Sequence, residues 1–274
     1  MAIHPTAVIH PTAIISPESV LGEGVRVGPF SVLDGPVTLG AGTVVGTHAL
    51  LTGPLTVGAN NRIGTGCVFG SEPQHTTYAG QPAGVQIGDR NVFREYVTVH
   101  RGSHVPGWGV TRIGNDGYFM VNVHVGHDAQ VGNNVIMVNA SMLGGHAILQ
   151  DRAFISGNSA LHQFARLGRL SMTTGCLTIV QDLLPYMTVK SREIVAGVNV
   201  IGMRRAGFSP ADIAVVRTAY KIIYRSGNIL KVGFQKLTAA FPDHPLVAEL
   251  VAFYAASKRG LIRPVDGAAA DAAG

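Results

Sequence analysis

The sequence predicts an all-β parallel β-helix followed by a shorter α-helical part, and three observations support this fold class. First, every sixth residue from Ile3 onward is large and apolar over most of the chain. Second, 35 of the 274 residues are glycine and only 7% are aromatic, a balance typical of regular, turn-rich β architectures. Third, this period stops after Ile179, where helical spacing replaces it. The 46% of hydrophobic residues excludes a disordered chain.

The hexad repeat has one apolar anchor residue in every six. Its anchors form three runs: Ile3 to Phe69, Ile87 to Val99 and Ile113 to Ile179. Thr173 is the one exception among them. A period of six matches neither a helix nor a flat strand. It fits a three-sided prism of short strands, with coils of about eighteen residues stacked about 4.8 Å apart. We expect the anchors to point inward, and glycine or asparagine to occupy corners with positive φ.

Two interruptions of the repeat, residues 70–86 and 101–112, are predicted to leave the prism as loops at its corners. Such loops often line the binding faces of solenoids, although a purely decorative loop is the alternative. The predicted organisation is therefore a β-helix domain over residues 1–190 with these two insertions. A helical domain over 191–263 and a disordered tail over 264–274 follow it.

The helical domain begins, by its sequence signals, at Ser209-Pro210, where a capping residue precedes a proline at the first helical position. Apolar residues then follow at helical spacing, and Gly227 is predicted to end this helix. Two further helices are predicted over about residues 228–240 and 246–258, with prolines between them.

Charge is distributed unevenly along the chain. Residues 190–263 hold twelve Lys and Arg against four Asp and Glu, whereas the rest of the chain has a small net negative charge. Arg217, Lys221 and Arg225 are four residues apart and share one helix face. This pattern indicates either a docking surface for an acidic partner or an ordinary solvated helix face, and the charge pattern alone does not distinguish the two.

Membrane and export signals are absent from the sequence. No stretch reaches the roughly 18 consecutive apolar residues of a membrane span. The N-terminal segment lacks a charged region followed by an apolar core. We therefore expect a cytoplasmic protein without stable membrane insertion, and we expect no nucleic-acid partner.

The histidines offer the most informative chemistry. His127, His146 and His162 are spaced close to one coil apart, so we expect them to form a column at one corner, with His124 just before it. They could be ordinary surface histidines. They could also bind zinc, as three histidines do in the gamma class of carbonic anhydrase, whose fold is similar. A third interpretation is a general base for acyl transfer to a sugar hydroxyl.

The segment Val121-Asn-Val-His124-Val-Gly-His127-Asp128 resembles the catalytic hexad of the UDP-N-acetylglucosamine O-acyltransferases, the family that begins lipid A assembly. The resemblance covers about residues 1–263. Further matching segments, similar in order and spacing, are Leu143-Gly-Gly-His146, Leu161-His-Gln-Phe164, Gly197-Val-Asn199 and Arg204-Arg-Ala-Gly-Phe208.

The resemblance implies several properties. It implies a left-handed prism, although the general crossover rule predicts right-handed connections. It implies a homotrimer with its site between subunits, and transfer of a 3-hydroxyacyl group from acyl carrier protein to the 3-hydroxyl of a UDP-sugar. It implies neither a cofactor nor a metal, because the donor's phosphopantetheine thioester is already activated.

The resemblance also implies roles for individual residues. His127 would be the general base, Asp128 would orient it, and the Gly145 N–H would hold the oxyanion. Gly175 would set acyl-chain length, and its missing side chain predicts a hydroxyacyl chain of about a dozen carbons or more. Substrate-binding roles fall on His124, His146, His162, Gln163, Gln74, Tyr78, Asn199 and Arg205, the last two toward the nucleotide or the carrier's arm.

Four positions depart from the family's pattern. His75 and Thr77 stand where the family usually has aspartate and lysine, Ile201 stands at an acidic position, and Ala206 replaces an arginine. These losses suggest altered sugar recognition and a 3-amino sugar as a possible acceptor. A zinc carbonic anhydrase of the same architecture is the alternative function. A catalytically silent β-helix would leave the histidine column unexplained.

Overall fold

The computed structural model describes residues 2–103, 109–191 and 194–262. Within these ranges the chain forms a parallel β-helix of three sheets with nine, eleven and nine strands, and four helices follow. The predicted fold class is confirmed. Residues 104–108 of the second insertion and the predicted tail over 264–274 lie outside the described residues.

Each sheet is one face of the prism, and strands one coil apart pair in parallel. The first face comprises Ala2–Ile3, Val20–Leu21, Val37–Leu39, Leu55–Val57, Gly84–Ile87, Val110–Ile113, Gln130–Val131, Ile148–Leu149 and Arg166–Leu167. The second comprises Val8–Ile9, Arg26–Val27, Val44–Val45, Arg62–Ile63, Val92–Phe93, Tyr118–Phe119, Ile136–Met137, Phe154–Ile155, Met172–Thr173, Met187–Ser191 and Ile194–Val198. The third comprises Ile14–Ile15, Val32–Asp34, Leu50–Thr52, Val68–Ser71, Thr98–His100, His124–Val125, Met142–Leu143, Ala160–Leu161 and Thr178–Ile179.

The anchors of the repeat form the interior of the prism. From Leu21 to Ile179 they are all buried. Among them, Phe93 stacks on Phe119 and meets Phe69 edge to face. Thr173, the polar exception, is buried too. Its hydroxyl accepts a hydrogen bond from the Ser156 N–H at 2.9 Å, which satisfies a polar group inside an apolar column.

The two insertions leave the register of the inward residues intact. Val57 pairs with Ile87, and Ile87 pairs with Ile113, across both insertions. The loops are shorter than the sequence predicts, because residues 70–71 and 84–86 belong to strands, as do residues 110–112. Residues 72–83, called the first loop, therefore leave the prism.

Glycines follow many anchors for a reason that the sequence analysis did not predict. Glycine and asparagine do occupy corners with positive φ, as predicted, for example Gly24 and Asn60. The glycines that directly follow anchors, such as Gly28 and Gly40, do not have positive φ. A Cβ on Gly28 would lie 2.5 Å from the carbonyl oxygen of Gly46, and one on Gly40 would lie 2.5 Å from the Gly58 backbone. Close stacking of successive coils therefore demands glycine. The corners with positive φ also hold many residues larger than glycine, Phe30 among them.

The C-terminal part begins with an antiparallel hairpin, Met187–Ser191 with Ile194–Val198, which extends the second face. The predicted division at residue 190 lies inside its first strand. Four helices follow: α1 Val200–Arg205, α2 Pro210–Tyr224, α3 Leu230–Ala240 and α4 Pro245–Ala255. Ser209 and Asp212 form the capping box that starts α2. The sequence analysis missed the hairpin and α1, and placed the ends of α2 and α4 about three residues too far along.

Two arginines attach the helices to the prism. Arg166 forms an ion pair with the buried Asp182 at 2.8 Å and donates to the carbonyl oxygen of Phe253. Arg169 forms an ion pair with Glu249 of α4 at 2.6 Å. Because both arginines project from the last coils of the prism, the helical part is fixed close to its C-terminal end.

Candidate active site

One edge of the prism, where the third face turns into the first, carries the predicted catalytic residues. Asp128, His146 and Phe164 occupy equivalent corner positions on successive coils, with φ of 61°, 61° and 63°. The His146 ring stacks on the Phe164 ring at a centroid distance of 4.4 Å. The three predicted histidines all lie near this edge, but they do not form a regular column. His146 occupies the corner itself, whereas His127 lies one residue and His162 two residues before the equivalent position.

The carboxylate of Asp128 is fully buried and accepts hydrogen bonds from several sides. The backbone N–H of Ser103 donates at 2.9 Å and that of Gly109 at 2.7 Å. Nδ1 of His127 lies 2.9 Å from Oδ2. The Asp128 N–H donates to the Thr111 hydroxyl at 2.8 Å, which holds the backbone in place. The second insertion thus supplies main-chain donors to Asp128.

These contacts fix the charge of Asp128. Burial alone would raise the pKa of its carboxyl, but hydrogen bonds from His127, Ser103 and Gly109 outweigh burial and hold the pKa well below its usual range. An ionised carboxylate can only accept, so Nδ1 of His127 carries the hydrogen. Nε2 of His127 is then the proton-accepting nitrogen of the neutral ring, which suits a general base.

The ring of His127 is held by neighbours on several sides. It meets the His146 ring at 5.1 Å and 88°, and the His75 ring at 5.5 Å and 85°. It also covers Gly145, where a Cβ would lie 2.5 Å from both Cε1 and Nε2 of His127. Its base nitrogen therefore lies against the Gly145 backbone, whose N–H is the predicted oxyanion donor.

His124 lies on the third face, close to the corner. Its Nδ1 is 2.8 Å from the Thr98 hydroxyl, and its ring meets the His100 ring at 5.3 Å. Burial, aided by repulsion from His100 and His127, lowers the pKa of His124 to about 4. Desolvation also lowers the pKa of His146. Both rings are therefore neutral at pH 7.

The low pKa of His124 makes stability depend on pH. Between pH 6.5 and about 4 the unfolded chain binds a proton at His124 that the folded chain does not, so the free energy of unfolding falls as the pH drops. We expect His124→Asn to recover about 1–2 kcal/mol of this loss at pH 4. Chemical denaturation of the wild type and of His124→Asn at several pH values measures the free energy of unfolding. If that free energy fell equally steeply with pH in both proteins, the prediction would be contradicted.

The first loop reaches the catalytic edge. Arg101 holds its base, donating to the Gly53 carbonyl oxygen and the Glu72 carboxylate, each at 3.2 Å. Its guanidinium also lies 5.8 Å from the centre of the Tyr78 ring. Gln74 is exposed and Tyr78 is half-buried, its hydroxyl donating to the Gln81 carbonyl oxygen at 2.9 Å. The sequence analysis treated His75 only as a lost aspartate and missed its contact with His127.

Of the remaining predicted site residues, His162 and Gln163 lie on the same edge one coil further along, just before Phe164, and the other three lie elsewhere on the molecule. His162 is half-buried, with Nδ1 3.1 Å from an Arg259 nitrogen, and Gln163 is exposed beside it. The Asn199 side chain caps α1 by accepting from the Gly202 N–H at 2.9 Å, and donates to the Leu170 carbonyl oxygen, which is on another edge. Arg205 lies on α1 and Gly175 lies at a corner after the second face, and both are exposed. The single chain does not bring these last three to His127.

The edge of the prism that carries Asp128 and His146 does not suit a metal ion. One nitrogen or oxygen each of His127, Asp128 and His146 lie within 4.8 Å of one another. However, both carboxylate oxygens of Asp128 already accept from backbone N–H groups, and Nδ1 of His127 faces that carboxylate. A metal would displace these hydrogen bonds from a fully buried group. The donor set therefore favours a proton-transfer pair over a zinc site.

Known proteins resemble the chain in both of its parts. Residues 182–262 match the family described as UDP N-acetylglucosamine O-acyltransferase, domain 2, and residues 18–53 match the bacterial transferase hexapeptide family. The acyl-[acyl-carrier-protein]–UDP-N-acetylglucosamine O-acyltransferase of Anaeromyxobacter dehalogenans is 43% identical over 264 residues, covering 96% of this chain and 100% of that one. Its counterpart in Paraburkholderia phymatum is 43% identical over 266 residues, covering 95% and 99%.

The chain belongs to the UDP-N-acetylglucosamine O-acyltransferase family. Solved structures of this family have the same fold. The acyltransferase of Bacteroides fragilis is 37% identical with a TM-score of 0.85, covering 95% of this chain and 100% of that one. That of Campylobacter jejuni is 28% identical with a TM-score of 0.88, covering 94% and 100%.

As a member of this family the chain is an acyltransferase enzyme, which confirms the predicted class of enzyme. Among its described helices, none combines the length and the apolar character that crossing a bilayer requires.

Proposed function

We propose that the protein transfers a 3-hydroxyacyl group from acyl carrier protein to the 3-position of UDP-N-acetylglucosamine or its 3-amino analogue, the first step of lipid A biosynthesis. The observation that supports this most is the His127–Asp128 pair, in which a buried carboxylate fixes an imidazole whose Nε2 faces the site. The relatives named for this activity share 43% of their residues with the chain.

His127 accepts the proton of the sugar's 3-hydroxyl, or of its 3-amine, on Nε2. The oxygen or nitrogen attacks the thioester carbonyl carbon, and a tetrahedral oxyanion forms. The Gly145 N–H stabilises that oxyanion. Among the described residues, none accepts a hydrogen bond from this N–H. The C–S bond then breaks, the carrier's thiolate leaves, and the His127 imidazolium returns the proton to it. Asp128 stabilises the imidazolium in between.

The acceptor is tested by supplying both sugars to one enzyme preparation with the same hydroxyacyl carrier protein. The first loop has His75 and Thr77 where the family usually has charged residues. Ile201 of α1 is 62% exposed, and Ala206 follows that helix in place of an arginine, so polar contacts to a hydroxyl sugar are reduced. We expect acylation at the 3-position of at least one sugar. Faster turnover of the 3-amino sugar would support amide formation, and a large preference for the hydroxyl sugar would refute it. The lack of any 3-acylated product would refute the proposed function.

Acyl carrier protein, which is acidic, would dock on the basic face of α2. Arg217, Lys221 and Arg225 are exposed there, beside a groove lined by Tyr220 and the end of the hairpin. Opposite charges on partner surfaces raise association rates.

Neutralising part of this face gives a matched test. Arg217→Ser combined with Lys221→Ser is expected to raise KM for the acylated carrier about 3- to 10-fold, and to leave KM for an acyl-pantetheine without the protein unchanged. The double variant Arg26→Ser/Arg112→Ser removes the same charge from the prism and should leave both values unchanged. Equal effects of the two double variants would show that the face does not dock the carrier.

Gly175 would admit a long acyl chain. A Cβ there would lie 3.3 Å from the Gly157 carbonyl oxygen and 3.6 Å from the Ser156 hydroxyl, so a side chain fits after small shifts. We expect Gly175→Met to move the preferred donor from about a dozen carbons or more to shorter chains, with Gly175→Ala in between. Competition among carrier-bound hydroxyacyl chains measures the preference. An unchanged profile would show that Gly175 does not limit the groove.

A homotrimer is part of the proposal. The predicted contacts of Asn199 and Arg205 lie away from the edge that carries His127, and neighbouring subunits could bring the two regions together. Apolar side chains on the second and third faces also support an interface: Val8 is 54% exposed, Ile14 65% and Met142 46%.

A further inference from the structure

His75 of the first loop touches the proposed base directly. Its ring meets the His127 ring edge to face, at 5.5 Å and 85°. On another side His127 meets His146, at 5.1 Å and 88°. His146 is itself buried and stacked on Phe164, so that contact is rigid. The His127 imidazole therefore lies between one fixed ring and one ring supplied by a loop.

A local turn fixes the orientation of the His75 ring. Its Nδ1 is 3.1 Å from the Thr77 hydroxyl and 3.4 Å from the Thr77 N–H. The same His-x-Thr turn occurs at His4 and at His10, with nitrogen-to-hydroxyl distances of 2.9 Å. A backbone N–H can only donate, so Nδ1 of His75 accepts, and Nε2 carries the hydrogen of the neutral ring. Thr77 thereby fixes the orientation of the His75 ring.

The first loop is held at its base, so the contact with His127 does not depend on substrate. His100 Nδ1 lies 2.5 Å from the carbonyl oxygen of Glu72, and Arg101 donates to the Glu72 carboxylate at 3.2 Å. His100 is the last residue of a strand of the third face, which also carries His124, and Arg101 follows directly. The loop that carries His75 is thus anchored at the strand that pairs with the His124 strand.

We propose that His75 is a positioning residue for the general base, and that Thr77 sets the orientation of its ring. This inference rests on the proposed function of His127. The His75 ring restricts rotation of the His127 imidazole, so that Nε2 stays aligned with the incoming 3-hydroxyl or 3-amine. A ring that rotates freely spends less time in the reactive orientation, which lowers kcat without weakening substrate binding.

Three variants separate packing from chemistry. His75→Ala removes the ring, and we expect kcat to fall about 3- to 10-fold with KM for both substrates nearly unchanged. His75→Phe keeps a ring without nitrogens, and should retain at least half of the kcat and the wild-type pH profile. Thr77→Val releases Nδ1 and should give a smaller loss. Thr12→Val, which removes the hydroxyl from the matching turn at His10, is the control and should leave kcat unchanged.

Two results would overturn the proposal. If His75→Phe loses as much kcat as His75→Ala, or if the acid side of its pH profile shifts, the nitrogens of His75 act in the reaction. If His75→Ala raises KM and leaves kcat intact, the residue binds substrate. The imidazole NMR signals of His127 give a readout that needs no turnover. They should shift in His75→Ala and remain near wild type in His75→Phe, even if the enzyme were found to use a different acceptor.

Discussion

His127→Ala is expected to lower kcat about a thousandfold, while KM for the acylated carrier and for the UDP-sugar changes little. The reason is the geometry of the pair: Nδ1 of His127 is 2.9 Å from the buried Asp128 carboxylate, so the ring has one nitrogen left to accept the acceptor's proton. Steady-state kinetics with saturating carrier measures the loss.

His4→Ala is a suitable control, because His4 is exposed in the first coil. It should retain full activity. If His127→Ala retained more than about a tenth of the wild-type kcat, removal of the proton by this imidazole would be excluded as the main catalytic contribution.

Gly145→Ala is expected to have the second largest effect, a loss of about a hundredfold in kcat. A Cβ at residue 145 would lie 2.5 Å from Cε1 and Nε2 of His127, so the ring of the proposed base must move. The backbone of Gly145 does not have a positive φ, so the methyl group causes no strain of its own beyond this clash. The effect should therefore fall on activity far more than on stability.

Gly233→Ala in α3 is a matched control, since the nearest atom to its new Cβ would be 3.4 Å away. Its kcat should equal that of the wild type. Thermal unfolding of both variants checks stability. A Gly145→Ala protein with normal kcat would show that neither the His127 ring nor the amide beside it has to be placed as the structure shows.

The sequence predicted the prism well because its period is set by packing. Each anchor must be apolar to fill the core, so residues such as Leu33 and Phe119 are visible in the sequence and buried in the structure. The stacking of coils also predicts that residues one coil apart are neighbours. That rule places His146 directly beside Asp128, and it fails for His162 only because the spacing is two residues short.

Other features could not be predicted from the repeat. The glycines after anchors, such as Gly28, are required by the approach of the next coil, and no local φ preference reveals that distance. The helix α1 is short and begins at a cap, Asn199, whose amide bonds to both the helix and Leu170. Its six residues are too few to show a helical period.

The contact between His75 and His127 depends on where a loop folds back, which the hexad rule does not determine. Residues 72–83 do not follow the hexad repeat. Their path is fixed at Glu72, whose carboxylate binds Arg101 and whose carbonyl oxygen contacts the His100 ring. One signal was present in the sequence: His75-x-Thr77 repeats the turn of His4-x-Thr6 and His10-x-Thr12. That similarity indicates an ordered turn at His75, but it does not show that the turn contacts His127.

The pH dependence of kcat/KM for the UDP-sugar, compared with the NMR titration of the His127 ring in the free enzyme, tests the proton-transfer chemistry most directly. A general base must be neutral to act, so kcat/KM should rise with pH along the same curve on which the His127 ring loses its proton. A rate that stays constant while that ring titrates, or that follows a different group, would contradict His127 as the base.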